Sequence, residues 1–183
     1  MTHHAPEFTG NTDRIVIEAL IDSASSKEFF KGYVEGVPLG KAKTTDSYHI
    51  TIGFMHRIEK SESRSLCEHI HNFIRNHELP HMFTRLKAIL GQAGRFPGNS
   101  TIVIFIKNKM DFLKIQKEIR TSVKQFQSVN SYDFNHNTQP ENYTPHLSIG
   151  WGDQNAIEAL NRKLDLPPLP LSLSIKDIRA RIA

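Results

Sequence analysis

The sequence has only one cysteine, no long apolar run and no low-complexity tract. Cys67 has no second cysteine to pair with, which excludes an intramolecular disulfide and is consistent with a reducing compartment. The longest purely apolar run in a candidate strand, Ile102 to Ile106, is far below the roughly 20 residues that a membrane-spanning helix needs. Residues 1–13 contain no apolar signal region. We therefore expect a cytoplasmic protein that is not attached to a membrane.

The overall composition is that of a globular chain. Of 183 residues, 38% are hydrophobic and 23% are charged, which predicts a single domain over residues 14–183, after a flexible segment at residues 1–13. A net charge of +4 and a pI near 9.2 favour an anionic partner such as RNA or a nucleotide, although a charge of this size can also serve solubility alone. No obligate protein partner is indicated, and we expect a monomer.

The spacing of apolar residues alternates between strand and helix periods, which predicts an α+β fold. Strands are predicted at residues 14–21, 48–55, 82–90, 101–106, 145–151 and 171–178. Helices are predicted at residues 27–34, 62–77, 112–126 and 154–164, the last capped by Asp153. The segment GQAGRFPGN, at residues 91–99, is predicted to be a turn because it is rich in glycine and proline.

Two of these strands carry nearly the same motif, HITI from His49 and HLSI from His146. Side chains alternate along a strand, so His49 shares a face with Thr51, and His146 shares a face with Ser148. Taken separately, each histidine would most often be a surface residue or a satisfied core residue. If the strands meet, however, two imidazoles and two hydroxyls converge, and one imidazole can accept a proton while the other donates one. The repeat therefore favours a catalytic acid–base pair.

These motifs, the proline before His146 and the segment GQAGRFPGNSTIVIFI resemble the 2H phosphoesterase superfamily, especially its RNA 2′,3′-cyclic phosphodiesterases. The resemblance implies a bilobal fold with two pseudo-symmetric lobes, each an antiparallel sheet with packed helices, around a central groove. It also implies that His146 is the base and His49 the acid, and that Thr51 and Ser148 hold the phosphate. The implied activity is hydrolysis of 2′,3′-cyclic phosphate ends of RNA or nucleotides, with no metal and no other cofactor.

Four aromatic side chains near the motifs could stack on a nucleobase. Strand alternation places Phe54 and Trp151 opposite the histidines, so we predict that both lie in the core. Tyr143 and Phe96 fall in loops and are candidate substrate contacts, with core packing as the alternative. Four basic residues could either line the groove or be solvated at the surface: Lys41, Lys43, Arg57 and Arg95.

Other functions remain open at this stage. A binding module with the same fold but no turnover is compatible with Trp151, since relatives often carry a basic residue there. An RNA-recognition-like module is a further alternative, as is a 2H enzyme for 2′,5′-linked oligonucleotides. Histidines that could bind zinc surround Cys67: His69, His71, His77 and His81. His69 and His71 lie two positions apart on a predicted helix and face different directions, which disfavours a metal site.

Overall fold

The structure is a computed structural model that describes residues 11–76, 85–166 and 171–183. The strands within these residues are β1 (Thr12–Ile21), β2 (Lys41–Ala42), β3 (His49–Glu59), β4 (Lys87–Gly94), β5 (Thr101–Ile106), β6 (His146–Trp151) and β7 (Ser172–Ile182). The α-helices are α1 (Ser23–Phe29), α2 (Lys60–Asn76), α3 (Lys109–Gln125) and α4 (Gln154–Leu164). A π-helical segment, Phe30–Val34, continues α1. Residues 1–10 lie outside the described residues, so the flexible N-terminal segment stays a prediction.

The strands form an antiparallel sheet in the order β2-β6-β3-β1-β7-β4-β5, and β5 also pairs with β6. In one half of the sheet β1 lies between β3 and β7. In the other half β5 lies between β4 and β6. The halves join where β3 pairs with β6 and where β7 pairs with β4. The α+β fold and its antiparallel sheets, predicted from the sequence, are confirmed.

The helices bury the apolar faces that their periodicity predicts. In α2 the buried apolar side chains include Leu66, Ile70 and Ile74. In α3 they include Phe112, Ile115 and Ile119, and both helices contribute to one continuous core. The Asp153 side chain caps α4 by accepting a hydrogen bond from the Ala156 N–H at 3.1 Å, as predicted. None of the helices in the described part of the chain is long and apolar enough to span a membrane.

The prediction of a turn over residues 91–99 was wrong for its first half. Strand β4 extends through Gly94, and the turn is confined to Pro97 and Gly98. Glycine weakens a strand locally, but Ala93 and Gly94 pair with β5, and this pairing decides the conformation. Strands β3 and β7 also extend further than predicted. Residues 82–84 of the third predicted strand, at residues 82–90, lie outside the described residues.

Each motif strand has a β-bulge directly after its hydroxyl residue. In β3, Thr51 pairs with Glu18 but Gly53 pairs with Ile17, which leaves Ile52 as the extra residue. In β6, Ser148 pairs with Val103 while Gly150 pairs with Ile102, and Ile149 is the extra residue. An extra residue reverses the alternation of side chains beyond it. The two halves of the sheet therefore repeat the same irregularity at the same motif position.

The carbonyl groups of both bulge residues receive hydrogen bonds from outside the strand pair. The buried side chain of Gln116 in α3 donates to the Ile52 carbonyl at 2.7 Å. The backbone N–H of Lys43 donates to the Ile149 carbonyl at 2.7 Å. Because a buried carbonyl without a partner is costly, these bonds stabilise the bulges. They also hold Lys43 beside the second motif.

Candidate active site

The two motifs lie on adjacent antiparallel strands, with Ile50 paired to Leu147. His49 and Thr51 flank Ile50 on β3, and His146 and Ser148 flank Leu147 on β6. All four of these side chains are half-buried. The structure brings together the four residues that the repeated motif singled out. Their arrangement is pseudo-symmetric about the Ile50 and Leu147 pair.

Backbone carbonyl groups orient both imidazole rings in the same way. His49 Nδ1 lies 2.8 Å from the Ser47 carbonyl oxygen, and His146 Nδ1 lies 2.8 Å from the Thr144 carbonyl oxygen. A carbonyl oxygen can only accept, so each Nδ1 carries the hydrogen. In the neutral ring Nε2 is then left without a proton, and in the charged ring Nε2 carries one. Nε2 is therefore the atom of each histidine that can exchange a proton with a substrate.

The electrostatic surroundings of His49 include a buried carboxylate. His49 Nε2 lies 3.5 Å from Oε1 of Glu18, whose side chain is 1% exposed. Arg181 donates to Oε1 of Glu18 at 2.8 and 3.1 Å, and Arg179 donates to Oε2 at 3.1 and 3.2 Å. Burial raises the pKa of Glu18, but hydrogen bonding to Arg181 and the charge of His49 together bring it below the ordinary value. Glu18 is therefore ionised at neutral pH.

The surroundings of His146 favour the neutral ring. Burial lowers the pKa of His146, and the charges of His49 and Lys43 lower it further, against the hydrogen bond to Thr144. Within the described residues, no carboxylate forms an ion pair with His146. The ring of Phe96 packs edge-on against His146, with 4.8 Å between the ring centroids. The two histidines thus share a backbone geometry but differ in charge environment.

Of the four basic candidates, Lys43 is the one whose charge acts on His146. Its side chain is half-buried, and burial lowers the pKa of Lys43 against the opposing effect of Glu18. Lys41 is exposed and lies 5.8 Å from the ring centroid of Trp151. Arg57 and Arg95 are also exposed. Lys43 is therefore the basic residue that we add to the candidate site.

A cavity of about 570 Å³ opens beside His146 and Thr51. Its lining combines aromatic rings, hydroxyls and side-chain amides: Thr51, Phe54, Phe96, Pro97, Asn99, Asn137, Thr138, Asn142, Tyr143, Thr144 and His146. Neither a carboxylate nor a lysine or arginine belongs to this set, which suits an uncharged, planar group with hydrogen-bonding edges. Phe96, a predicted substrate contact, lies half-buried in this lining.

The core positions predicted for Phe54 and Trp151 were wrong. Both follow a bulge, and the reversed alternation turns them away from the face of the apolar residues that precede it. Phe54 is half-buried in the cavity lining, and Trp151 is 38% exposed. Tyr143, the other predicted substrate contact, is only 2% exposed, and its hydroxyl donates to the Thr51 carbonyl at 3.0 Å. This burial argues against base stacking by Tyr143.

Three charged residues near His49 were missed in the sequence: Glu18, Arg179 and Arg181. A signal for the first was present, because Glu18 is the one acidic residue in the otherwise apolar strand sequence RIVIEALI. Acidic side chains are rarely fully buried unless they are paired. The arginines gave no comparable signal, since alternating charged residues near the end of a strand are typical of a solvated face.

The histidines near Cys67 that the structure describes form hydrogen bonds with neighbouring elements. His69 Nε2 contacts the Ser122 hydroxyl and carbonyl, both at 2.9 Å. His71 Nε2 accepts a hydrogen bond from the Ala180 N–H at 3.0 Å. His77 and His81 lie outside the described residues. Across residues 11–76, 85–166 and 171–183, no cluster of three or more histidine, cysteine or acidic side chains could hold a metal ion.

Comparisons with known proteins add a family and a fold. A protein-family model described as the 2′-5′ RNA ligase superfamily matches residues 39–179, a range that contains both motifs. The chain is similar to the crystal structure of Escherichia coli LigT in its apo form, with a TM-score of 0.55 and 10% identity, over 94% of this chain and 88% of that one. For LigT complexed with ATP the TM-score is 0.53, with the same identity and coverage.

A crystal structure described as a phosphoesterase gives a TM-score of 0.51 at 12% identity, over 93% of this chain and 88% of that one. At such identities the likeness to solved structures supports the fold alone. No curated protein matches the chain in sequence.

Proposed function

The chain belongs to the 2′-5′ RNA ligase superfamily of 2H phosphoesterases, and from this premise we propose that it hydrolyses 2′,3′-cyclic phosphate ends of RNA or nucleotides. Membership of this superfamily supports phosphoesterase chemistry. The observation that carries the finer proposal is the pairing of β3 with β6 at Ile50 and Leu147, because the two histidines and the two hydroxyl residues flank this pair on adjacent strands. A single phosphate between the strands can then contact two proton-transfer groups and two hydroxyl donors.

In the proposed reaction His146 is the general base. Its Nδ1–H is committed to the Thr144 carbonyl, and burial keeps the ring neutral, so the lone pair on Nε2 is free to accept a proton. His146 takes that proton from a water molecule as the water oxygen forms a bond to phosphorus. No metal is needed to generate the nucleophile, because the base and the substrate phosphate are held together on one surface.

His49 is the general acid of the same reaction. Its Nε2 faces the Glu18 carboxylate 3.5 Å away, and the Nε2–H is the proton that it can deliver. As the bond between phosphorus and one ribose oxygen breaks, His49 protonates that oxygen, and the product is a phosphomonoester. Thr51 and Ser148 donate hydrogen bonds to the nonbridging oxygens, whose charge grows in the transition state.

The cavity beside His146 supports a nucleotide as the substrate. A phosphate held by the motifs would place its nucleoside within reach of this 570 Å³ space. The rings of Phe54 and Phe96 can stack on a base, and the amides of Asn137 and Asn142 can bind its polar edge. Phe96 keeps its predicted role as a substrate contact, and Phe54 replaces Tyr143.

A substrate panel tests this proposal directly. The chelated protein is incubated with the four nucleoside 2′,3′-cyclic phosphates, with an RNA that ends in a cyclic phosphate, and with a 2′,5′-linked dinucleotide. We expect hydrolysis of the cyclic phosphates, no loss on exhaustive chelation, and no activity in a His49→Ala, His146→Ala double variant.

Three outcomes would replace the proposal. Cleavage of the 2′,5′-linked dinucleotide alone would keep the class of chemistry and change the substrate. Binding of every substrate without turnover would favour the binding module. Activity that returns only with a divalent ion would contradict acid–base catalysis by the two histidines.

A further inference from the structure

We propose that Glu18 is a positioning residue for His49: its buried carboxylate faces Nε2 and supplies negative charge to the general acid, and Arg179 and Arg181 limit that charge. The proposal rests on the proposed function for the role of His49. The coupling between Glu18 and His49 is a property of the protein without substrate and can be measured separately.

The geometry connects these four residues through one buried carboxylate. Oε1 of Glu18 is shared between His49 Nε2 at 3.5 Å and the guanidinium of Arg181 at 2.8 Å, while Oε2 contacts Arg179. Glu18 lies within β1, between the motif strand β3 and strand β7. Its side chain is 1% exposed, so water screens the interaction with His49 weakly.

The fold does not require a carboxylate at this position. Glu18 pairs with Thr51 beside the first bulge, and in the other half of the sheet the equivalent partner of Ser148 is Val103. Val103 is 1% exposed and apolar. A buried ion pair stabilises a protein no better than well-packed apolar residues in many cases. The charge at Glu18 is therefore better explained by its effect on His49 than by packing.

The residues that pair with Glu18 and with Val103 on the neighbouring strands also differ in charge. Glu18 pairs across the strand with Arg179, whereas Val103 pairs with Gly94, which has no side chain. In the half of the sheet that carries His49, this pair of positions holds two opposite charges. In the other half, the equivalent pair holds no charge. The difference matches the opposite proton-transfer roles proposed for the two histidines.

The charged groups linked to Glu18 and His146 around His49 are cationic: Arg179 and Arg181 approach from β7, and Lys43 precedes β3. One further acidic residue, Asp177 of β7, lies in the same row as His49 but on the far side of Leu20. Glu18 is the carboxylate that forms an ion pair with His49, so its removal takes away the nearest negative charge.

Two substitutions with opposite expected effects test the proposal. Glu18→Gln keeps the shape of the side chain and removes the negative charge that faces Nε2 of His49. The alkaline limb of the pH–rate profile should move to lower pH by about one unit. Arg179→Gln removes a cation from a side chain that is 49% exposed, and the alkaline limb should move to higher pH. Glu158→Gln, on the exposed face of α4, makes the same change of net charge as Glu18→Gln and should leave the profile unchanged.

The same variants are then titrated by NMR of their labelled histidine rings without substrate. Glu18→Gln should move the His49 titration to lower pH and Arg179→Gln should move it to higher pH. This measurement does not depend on activity. If the wild-type protein shows the coupling but hydrolyses no cyclic phosphate, the proposed function fails and the coupling stands.

Other results would overturn the role of Glu18. A shift of the acidic limb in place of the alkaline limb would make His49 the base. Equal shifts of the alkaline limb in Glu18→Gln and Glu158→Gln would mean that the effect comes from net charge alone. Shifts of the same sign in Glu18→Gln and Arg179→Gln would mean that it comes from a loss of stability. If Glu18→Gln does not fold, Glu18→Asp replaces it: the retained charge should keep the alkaline limb within about 0.3 of a pH unit of wild type, and a larger downward shift would contradict the proposal.

Discussion

The two halves of the sheet have the same backbone plan and opposite electrostatics. In each half a motif strand places its histidine ring against a carbonyl two residues earlier and bulges directly after its hydroxyl residue. Beside His49 the central strand carries Glu18, and beside His146 it carries Val103 and Phe105. The repeated backbone brings two imidazoles to one place, and a few side chains give them different charge environments.

The supports of the two bulges also differ. Gln116, a buried side chain from α3, holds the first bulge, while the backbone of Lys43 holds the second. Gln116 also donates to the Thr138 carbonyl at 2.8 Å, which ties the first bulge to the wall of the cavity. The second support brings a positive charge close to His146. The halves therefore reach the same backbone geometry through different contacts with different chemical consequences.

The largest effect should come from removing either imidazole. His49→Ala and His146→Ala should each lose roughly 10²- to 10⁴-fold in kcat, because each histidine carries one proton transfer. The double variant should lose much less than the product of the two, because the groups act as a unit. Steady-state rates on a cyclic nucleotide measure this. His56→Ala, an exposed histidine further along β3, is the control. Near-normal turnover in either single variant would remove that histidine from the mechanism.

A smaller loss should follow from removing one hydroxyl. Thr51→Val and Ser148→Ala keep the shapes of the side chains and should each lower kcat on the order of 10²-fold, because each removes one donor to the phosphate. Similar losses would mean that the two halves bind the phosphate alike. If only one variant is impaired, the pseudo-symmetry of the backbone does not extend to the phosphate. Thr121→Val, which removes an exposed hydroxyl on α3, provides the comparison.

Alanine at the two glycines that follow the bulge residues should distinguish the halves by stability. A Cβ at Gly150 would lie 2.3 Å from the Lys41 backbone oxygen, whereas at Gly53 it would meet the ring of Phe134. A ring can shift more easily than a strand. We expect losses of about 1–3 kcal/mol in the free energy of unfolding, with Gly150→Ala the larger, by urea denaturation. Gly32→Ala, where a Cβ meets nothing within 4 Å, is the control. A larger loss for Gly53→Ala would show that Phe134 is held more rigidly than the β2 backbone.

The smallest effect concerns the charge beside His146. The pKa of His146 is lowered by burial and by the charges of His49 and Lys43, so the acidic limb of the pH–rate profile should lie below the ordinary histidine range. Lys43→Met removes one of those charges, which makes protonation of His146 easier and should move this limb upward by roughly half a pH unit. Lys41→Met, two residues earlier, should leave the limb in place. A downward shift in Lys43→Met would exclude His146 as the base.

Much of the fold and the reacting groups could be predicted from the sequence because both depend on local patterns. Apolar periodicity located the strands and helices, since the period of two or 3.6 residues is set by backbone geometry. The four motif residues were found because a histidine and a hydroxyl two positions apart must share one face of a strand. The aromatic residues that follow the motifs, Phe54 and Trp151, were misplaced because an extra residue in each strand reversed the alternation.

The sequence by itself determined the class of fold, the positions of the two motifs and the identity of the groups that can exchange protons. Only the tertiary structure decided which histidine has a counter-charge. Glu18 and Arg179 lie far apart in the chain and meet through the pairing of β1 with β7, and His49 reaches them through the pairing of β1 with β3. Electrostatic interactions depend on distance and burial, and neither can be read from the order of residues until the strands are paired.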